Sequence, residues 1–250
     1  MAKIFTTEYE LTALADAIRE RGGTSESLAF PSGYVQAINN FEKKYINQDL
    51  LEETLNKTIT SCPTLNLIRV PQNLFRECTQ LSHINFPECE IVASNAFNGA
   101  VNIKEAIFPK CETIENNAFL NCSTLRIVSF PECKTIGDYA FQNCSSLSVV
   151  WFPNCLTIGS NAFNNCYNLS TISLPACSHI GTLAFTRCSS LKSVYLMSSS
   201  VVTILTSAVF KSSPISTSAN GLIYVPGSLI EAYKSASFWS YYSSKFVAGD

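Results

Sequence analysis

Eleven cysteines and two histidines are the residues of this chain best suited to chemistry, as thiolate nucleophiles, disulfide partners or zinc ligands. Their spacing argues against those uses. One row of cysteines runs Cys89, Cys111, Cys133, Cys155 and Cys177, and a second runs Cys78, Cys122, Cys144, Cys166 and Cys188, with Ala100 filling the rung after Cys78. Zinc sites draw on C-x-x-C pairs or on histidines at short spacing, and no C-x-x-C pair occurs. The alanine rung fits packing better than obligatory disulfide pairing. His83 and His179 fall in different parts of different repeats, so they are not neighbours in a column. Free Cys behaves as a small hydrophobe, and both rows are expected to be buried filler.

Other chemical signatures are missing. The chain contains no G-x-S-x-G, Walker loop, G-x-G-x-x-G or H-E-x-x-H sequence, and its acidic residues form no EF-hand-like loop. No catalytic residue, cofactor or metal ligand is assigned, and the expectation is a protein that is not an enzyme. Four N-x-S/T sequons occur at Asn56, Asn121, Asn143 and Asn168; three of them fall in repeat turns as by-products of the consensus.

The elements that would position these residues follow a period of 22. Phe86-Pro87, Phe108-Pro109, Phe130-Pro131, Phe152-Pro153 and Leu174-Pro175 repeat at that spacing, as do Ala96-Phe97, Ala118-Phe119, Ala140-Phe141, Ala162-Phe163 and Ala184-Phe185. Val92, Ile114, Ile136, Ile158 and Ile180 form a further apolar row. The consensus L-x-x-I/V-x-F-P-x-C-x-x-I-x-x-x-A-F-x-x-C-x-x-L reads as a short half-buried strand, ended by Pro because Pro cannot donate to a ladder. A compact return turn follows at A-F-x-x-C. One such unit cannot bury its apolar side, but stacked units can, so Leu, Ile, Phe and Cys become internal rows.

This pattern, held over roughly Leu65 to Leu196, resembles the BspA-like, or treponemal-type, leucine-rich repeats of bacterial surface proteins. The fold expected is an α/β solenoid: a right-handed leucine-rich-repeat coil of 22-residue units with one parallel sheet face, a helical N-terminal module and a C-terminal cap. Residues 1–45 are read as the helical module, 46–64 as a linker or N-terminal cap, 65–196 as repeats, and 197–250 as an irregular last repeat and cap.

At the N-terminal side, Thr7 and Glu10 make a capping box, and Leu11, Leu14, Ala15 and Ile18 share a helical face that Gly22-Gly23 ends. Phe30-Pro31-Ser32-Gly33 leads to Tyr34, Val35, Ala37 and Ile38, read as a second short helix, and the charged stretch from Lys43 to Lys57 as a linker or solvated helix. The run Leu11 to Arg19, followed by Gly22-Gly23-Thr24-Ser25 and Phe30-Pro31, resembles a segment of prophage tail-associated proteins of Gram-positive gut bacteria, where repeats of this kind and an ending similar to Ile223-Tyr224-Val225-Pro226 follow it. That resemblance implies a virion structural or host-contact role, with other virion proteins as partners of the N-terminal module.

Leu65 to Pro71 matches the strand motif L-x-x-I-x-F-P, and Asn73 to Cys78 the turn, which makes the first coil a shortened one. Past Leu196, Ala208, Val209 and Phe210 read as one more turn, and Gly221 to Pro226 as a final strand. Ser228 and Glu231 form a capping box for a helix from Leu229 to Lys234. Phe238, Trp239, Tyr241 and Tyr242 are expected to fold back over the last coil, with sugar stacking as the other reading.

The intervening residues of L-x-x-I-x-F are the display positions. One outward column is Asn85, Ile107, Ser129, Trp151, Ser173 and Tyr195; the next is His83, Glu105, Ile127, Val149, Thr171 and Ser193; an edge column is Ser82, Lys104, Arg126, Ser148, Ser170 and Lys192. Ile107, Ile127, Val149, Trp151 and Tyr195 make an apolar and aromatic patch, either a contact site for a ligand or ordinary sheet-forming residues suited to cross-strand pairing. The partner expected is a protein or glycan on a cell surface.

Composition narrows the classes further. A formal charge of −2, with 14% charged residues, argues against a nucleic-acid-binding surface. The apolar runs are too short to insert in a bilayer. Met1 to Glu10 has no apolar core of a secretory signal, so either the protein is made without one or the signal is already removed. The locations considered are a virion tail or a bacterial cell surface. Non-enzymatic host recognition on a phage or prophage tail is the leading reading, with a cell-surface adhesin or a purely structural virion protein as alternatives.

Overall fold

The computed structural model describes residues 57–62, 67–218 and 220–249. The N-terminal helices expected around Leu11–Ile18 and Tyr34–Ile38, their Thr7/Glu10 capping box and the charged linker lie outside the described residues, apart from Lys57.

The strands are short because each has one turn of a coil in which to form. In chain order they are β1 (Arg69–Val70), β2 (Ile91–Val92), β3 (Glu105–Ile107), β4 (Thr113–Ile114), β5 (Ile127–Ser129), β6 (Thr135–Ile136), β7 (Val149–Trp151), β8 (Thr157–Ile158), β9 (Thr171–Ser173), β10 (His179–Ile180), β11 (Ser193–Tyr195), β12 (Thr203–Ile204), β13 (Leu222–Val225) and β14 (Phe246–Ala248). They pair only in parallel, coil upon coil. The expected sheet face comprises β3–β5 and β7–β9–β11–β13–β14. A second parallel ladder, absent from the sequence expectation, runs β1–β2–β4–β6–β8–β10–β12. It is built on the Val92, Ile114, Ile136, Ile158 and Ile180 row, each residue opposite its equivalent one coil on. The single apolar residue followed by a turn leaves room for only two paired residues per coil.

The core is a set of columns. Phe75, Phe97, Phe119, Phe141, Phe163, Phe185 and Phe210 stack face to face, with centroids 5.1 to 5.5 Å apart. Phe86, Phe108, Phe130 and Phe152 form a parallel column beside them, continued by buried Leu174 and Leu196. Rings of the two columns meet edge-on or tilted, as their quadrupoles prefer.

All eleven cysteines are buried and free, as the spacing implies, and the thiols of the two rows also donate hydrogen bonds. Cys122, Cys144, Cys166 and Cys188 each point Sγ at the carbonyl of the phenylalanine 25 residues earlier, at 3.1 to 3.2 Å. Cys89, Cys111, Cys133, Cys155 and Cys177 each reach the carbonyl two residues ahead. The columns are therefore weak-donor columns as well as apolar ones.

The return arcs are hydrogen-bonded ladders too. Phe97, Phe119, Phe141 and Phe163 each donate N–H to the alanine carbonyl of the next coil, at 2.8 Å. To make these bonds the arc turns twice through left-handed backbone. The first position carries Asn73, Asn95, Asn117, Tyr139, Asn161 and Leu183; the second carries Glu77, Gly99, Asn121, Asn143, Asn165 and Arg187. Asparagine dominates because, glycine aside, it enters this region at least cost.

The first coil corrects the sequence register. Ser61 bridges His83, while Arg69 and Val70 pair with Ile91 and Val92. Val70 thus belongs to the second ladder, not to an L-x-x-I-x-F strand running from Leu65. Every offset is 22 residues, so this coil is not shortened, and repeat-like packing reaches back to Ile59. The Val70-Pro71 dipeptide mimicked the Phe-Pro strand end.

At the other end, Ser207–Phe210 is a 3-10 turn whose Phe210 extends the phenylalanine column, as expected. The strand β13 is not the last: β14 adds one more parallel rung. Ser228 does not cap a helix. Gly227–Leu229 is a 3-10 turn, and the helix α2 (Ile230–Ser235), which follows the one-turn α1 (Pro214–Thr217), starts without a side-chain cap. Glu231 instead pairs with Lys234 at 2.8 Å. Of the four closing aromatics, Trp239 and Tyr242 are buried as expected, joined by Tyr233. Phe238 and Tyr241 stay 46% and 65% exposed, outside the plug.

Candidate functional site

The strands β3, β5, β7, β9 and β11 alternate along their three residues, so the middle side chain enters the core and the flanking two face out. That alternation places the five sequence-selected residues on one face. Ile107, Ile127 and Val149 are about half exposed, and Trp151 is 61% exposed. Tyr195 is half-buried because Tyr224 lies flat against it, with centroids 4.4 Å apart and planes 9° apart.

Register fixes their neighbours. Glu105 and Ile107 stand opposite Ile127 and Ser129; Val149 and Trp151 stand opposite Thr171 and Ser173; Ser173 stands opposite Tyr195, and Tyr195 opposite Tyr224. The structure thus gathers the residues in two groups. Ile107 and Ile127 share β3–β5, while Val149, Trp151 and Tyr195 share the larger sheet. No backbone pairing joins β5 to β7, and Val128 between its exposed neighbours is only partly buried. The rings beneath this seam are also displaced: Phe130 and Phe152 are 6.1 Å apart at 24°, against 5.2 Å and 6° for Phe108 and Phe130.

The edge column brings Lys104, Arg126 and Lys192 to the side of the face, all exposed. Among the described residues none of the three is in an ion pair, whereas Lys110, Lys134 and Arg69 pair with Glu88, Glu112 and Glu115 elsewhere on the coils. Around the aromatic positions the face offers Thr171, Ser173 and Ser193, so the polar groups beside the rings are hydroxyls.

The histidines and cysteines of the described residues stand apart from the exposed set. His83 lies on the sheet face with Nδ1 2.8 Å from Ser82 Oγ, and His179 on the second ladder, so the two imidazoles serve different sheets. Burial pushes the Cys133, Cys177 and Cys188 thiols up to about 12, and those of Cys144 and Cys166 well above their ordinary value. Such thiols are protonated and weakly nucleophilic at neutral pH. Among the described residues no group of three or more His, Cys, Asp or Glu side chains stands together as a metal site. No helix among them is long and apolar enough to cross a membrane.

Tyr224 and the seam were missed by sequence reasoning. Alternation within Leu222 to Val225 puts Tyr224 outward, so its direction was readable, but its pairing with Tyr195 breaks the 22-residue period and needed the register. The seam has no sequence mark.

The BspA type leucine rich repeat region matches this sequence in six copies, over residues 34–126 and 112–223. Several solved structures are similar. A leucine rich repeat protein of T. pallidum is 32% identical with a TM-score of 0.42, over 46% of this chain and 56% of that one. A leucine-rich repeat protein of Bacteroides ovatus is 16% identical with a TM-score of 0.42, over 68% of this chain and 56% of that one. A leucine rich cell surface protein of Faecalibacterium prausnitzii is 19% identical with a TM-score of 0.36, over 77% of this chain and 64% of that one. The chain thus spans a little over half the length of the first two. No curated protein matches it.

Proposed function

The chain belongs to the BspA type leucine-rich repeat family, and from that premise we propose that it is a non-enzymatic binding and adhesion protein whose contact surface is the face carrying Ile107, Ile127, Val149, Trp151 and Tyr195. One observation carries this reading. From rung to rung the interior positions repeat while the outward ones diverge, and they diverge into an exposed apolar and aromatic set flanked by exposed cations. Exposed clusters of this kind favour association, and Trp and Tyr are strong anchors. The partner is a protein or glycan on a cell surface.

The finer placement is host recognition on a phage or prophage tail, with the N-terminal module as the attachment to the particle. It rests on the resemblance of Leu11 to Arg19, Gly22-Gly23 and Phe30-Pro31 to prophage tail-associated proteins. Display on a bacterial cell surface is the second reading, favoured by the family itself. Mass spectrometry of purified particles separates the two, since only the first puts this chain among the particle proteins. The contact surface is tested by Trp151→Ser with Tyr195→Ser. Binding to host cells and to a glycan array should be lost while the thermal transition is retained. Unchanged binding by the folded double variant refutes this use of the face.

A further inference from the structure

Trp151, Ser173, Tyr195 and Tyr224 occupy four successive rungs of one outward column. The Tyr195 and Tyr224 rings are nearly parallel at 4.4 Å, close to the strand spacing, so their faces look along the column. Tyr224 covers one face of Tyr195. The other looks towards Ser173, whose side chain is a single hydroxymethyl group. Beyond Ser173 stands Trp151, 61% exposed and without a ring partner among the described residues. Two rungs span about 9.6 Å, so a flat ring above Ser173 would lie about 4.8 Å from each neighbour, within stacking range. The interior column from Phe75 to Phe210 already fills every rung in this way. The surface column is such a stack with one ring missing.

Charge narrows the occupant. The three display columns of this face carry Lys104, Arg126 and Lys192 against a single carboxylate, Glu105. The face is therefore cationic on a chain whose formal charge is −2. Lys192 immediately precedes β11, which bears Tyr195. A neutral sugar would gain nothing from these cations, whereas an acidic peptide would gain steering as well as contact.

We infer that the open rung above Ser173 receives an aromatic side chain from an acidic peptide segment of a partner protein, held between Trp151 and Tyr195 and steered by Lys192 and Arg126. This deepens the proposed use of the sheet face and rests on it. Ser173→Tyr is the discriminating variant, because it supplies the missing ring from the chain itself. Aromatic residues suit exposed strands, and the new ring would stack on Tyr195.

The experiment pans a displayed library of random peptides on the full chain. Enriched peptides should share a Tyr, Phe or Trp among acidic residues. Replacing that aromatic by Ala, or using the Ser173→Tyr chain, should each weaken binding by about tenfold or more, and Lys192→Glu should weaken it most at low salt. Three results overturn the inference: no enrichment, no shared aromatic, or equal binding by a folded Ser173→Tyr chain. Capture of an anionic glycan that Ser173→Tyr abolishes, without any such peptide, also overturns it and makes the occupant a sugar. If Trp151→Ser abolishes cell binding while Ser173→Tyr preserves it, the face is used but the open rung is not. If the Trp151→Ser, Tyr195→Ser double variant preserves cell binding, the use of the face fails as well.

Discussion

The side-chain amide of Asn165 donates to Asn143 Oδ1 at 2.7 Å, one coil back, just as Asn143 donates to Asn121 at 2.6 Å. The chain of amides stops there. Asn165 Oδ1 is buried without a hydrogen-bond partner among the described residues, because the next rung carries Arg187. Arg187 also holds left-handed backbone, with φ of 60°. Arg187→Asn should place an amide donor beside Asn165 Oδ1 and ease the backbone cost, raising stability by about 1 kcal/mol. Urea denaturation would show a higher midpoint at unchanged slope. Arg187→Ala supplies no donor and should give no such gain.

A second expectation concerns close approach of coils. A Cβ on Gly159 would sit 2.5 Å from the backbone nitrogen of Asp138 and the carbonyl carbon of Gly137, atoms that cannot swing aside. Gly159→Ala must therefore separate neighbouring coils locally, and the cost should be about 3 kcal/mol, at the upper end for overpacking. A thermal transition within a degree of the parent would contradict this close contact.

Much of this architecture was legible because a 22-residue period places like with like: a buried Phe97 implies a buried Phe119, and one Cys row implies its column. Outward placement of Trp151 followed from strand alternation alone. Where the period changes, inference from sequence weakened. The coil after Phe185 reaches its equivalent, Phe210, after 25 residues, and β13 meets β11 at an offset of 29, so neither the Tyr195–Tyr224 stack nor the extra rung β14 could be aligned by counting. The first coil failed for another reason. Leu65 to Pro71 satisfies the strand motif by composition, and only pairing with Ile91 and Val92 separates the two ladders. The left-handed rows were visible as asparagine recurring at fixed offsets, with Gly99 at one rung, a signal of backbone conformation within what the sequence shows as turn consensus.

The thiols predict an alkaline limit. Burial raises the folded thiol of Cys133 from 9.0 to about 12, and those of Cys177 and Cys188 to about 12. The folded state therefore keeps protons that the unfolded chain releases near its ordinary thiol value. The stability from this source is fully present below pH 9, falls as pH rises from there, and is gone by the folded value near 12. Each such thiol should remove about 1.4 kcal/mol per pH unit in that window. Denaturation midpoints should be flat between pH 6 and 8 with respect to the thiols and drop steeply above 9. A disulfide-exchange reagent at pH 8 should label the thiols only after denaturant is added. Rapid labelling of the native chain would be incompatible with the buried columns.

The C-terminal cap gives the last expectation. Val202 is buried just before β12, where the coil loses its regular period and cannot offer its peptide groups a neighbouring strand. Both groups are met by aromatic side chains of the cap instead. Trp239 Nε1 donates to the Val202 carbonyl at 2.6 Å, and the Val202 N–H donates to the Tyr233 hydroxyl at 3.1 Å. The same rings close the hydrophobic end, with Trp239 edge-on to Tyr233 at 5.4 Å and tilted against Phe210 at 6.2 Å. Trp239→Phe keeps most of the apolar contact but strands the carbonyl. Tyr233→Phe keeps the ring but strands the N–H. Each should cost about 1 to 3 kcal/mol, the penalty for a buried peptide group left unpaired. Because the two bonds serve one residue, the double variant should lose less than the sum if water enters after the first loss. Hydrogen exchange at the Val202 amide should accelerate in Tyr233→Phe well before exchange rises at Phe119 or Phe141. Uniform acceleration along the coils would mean that the cap and solenoid unfold as one unit and that Val202 is no special joint.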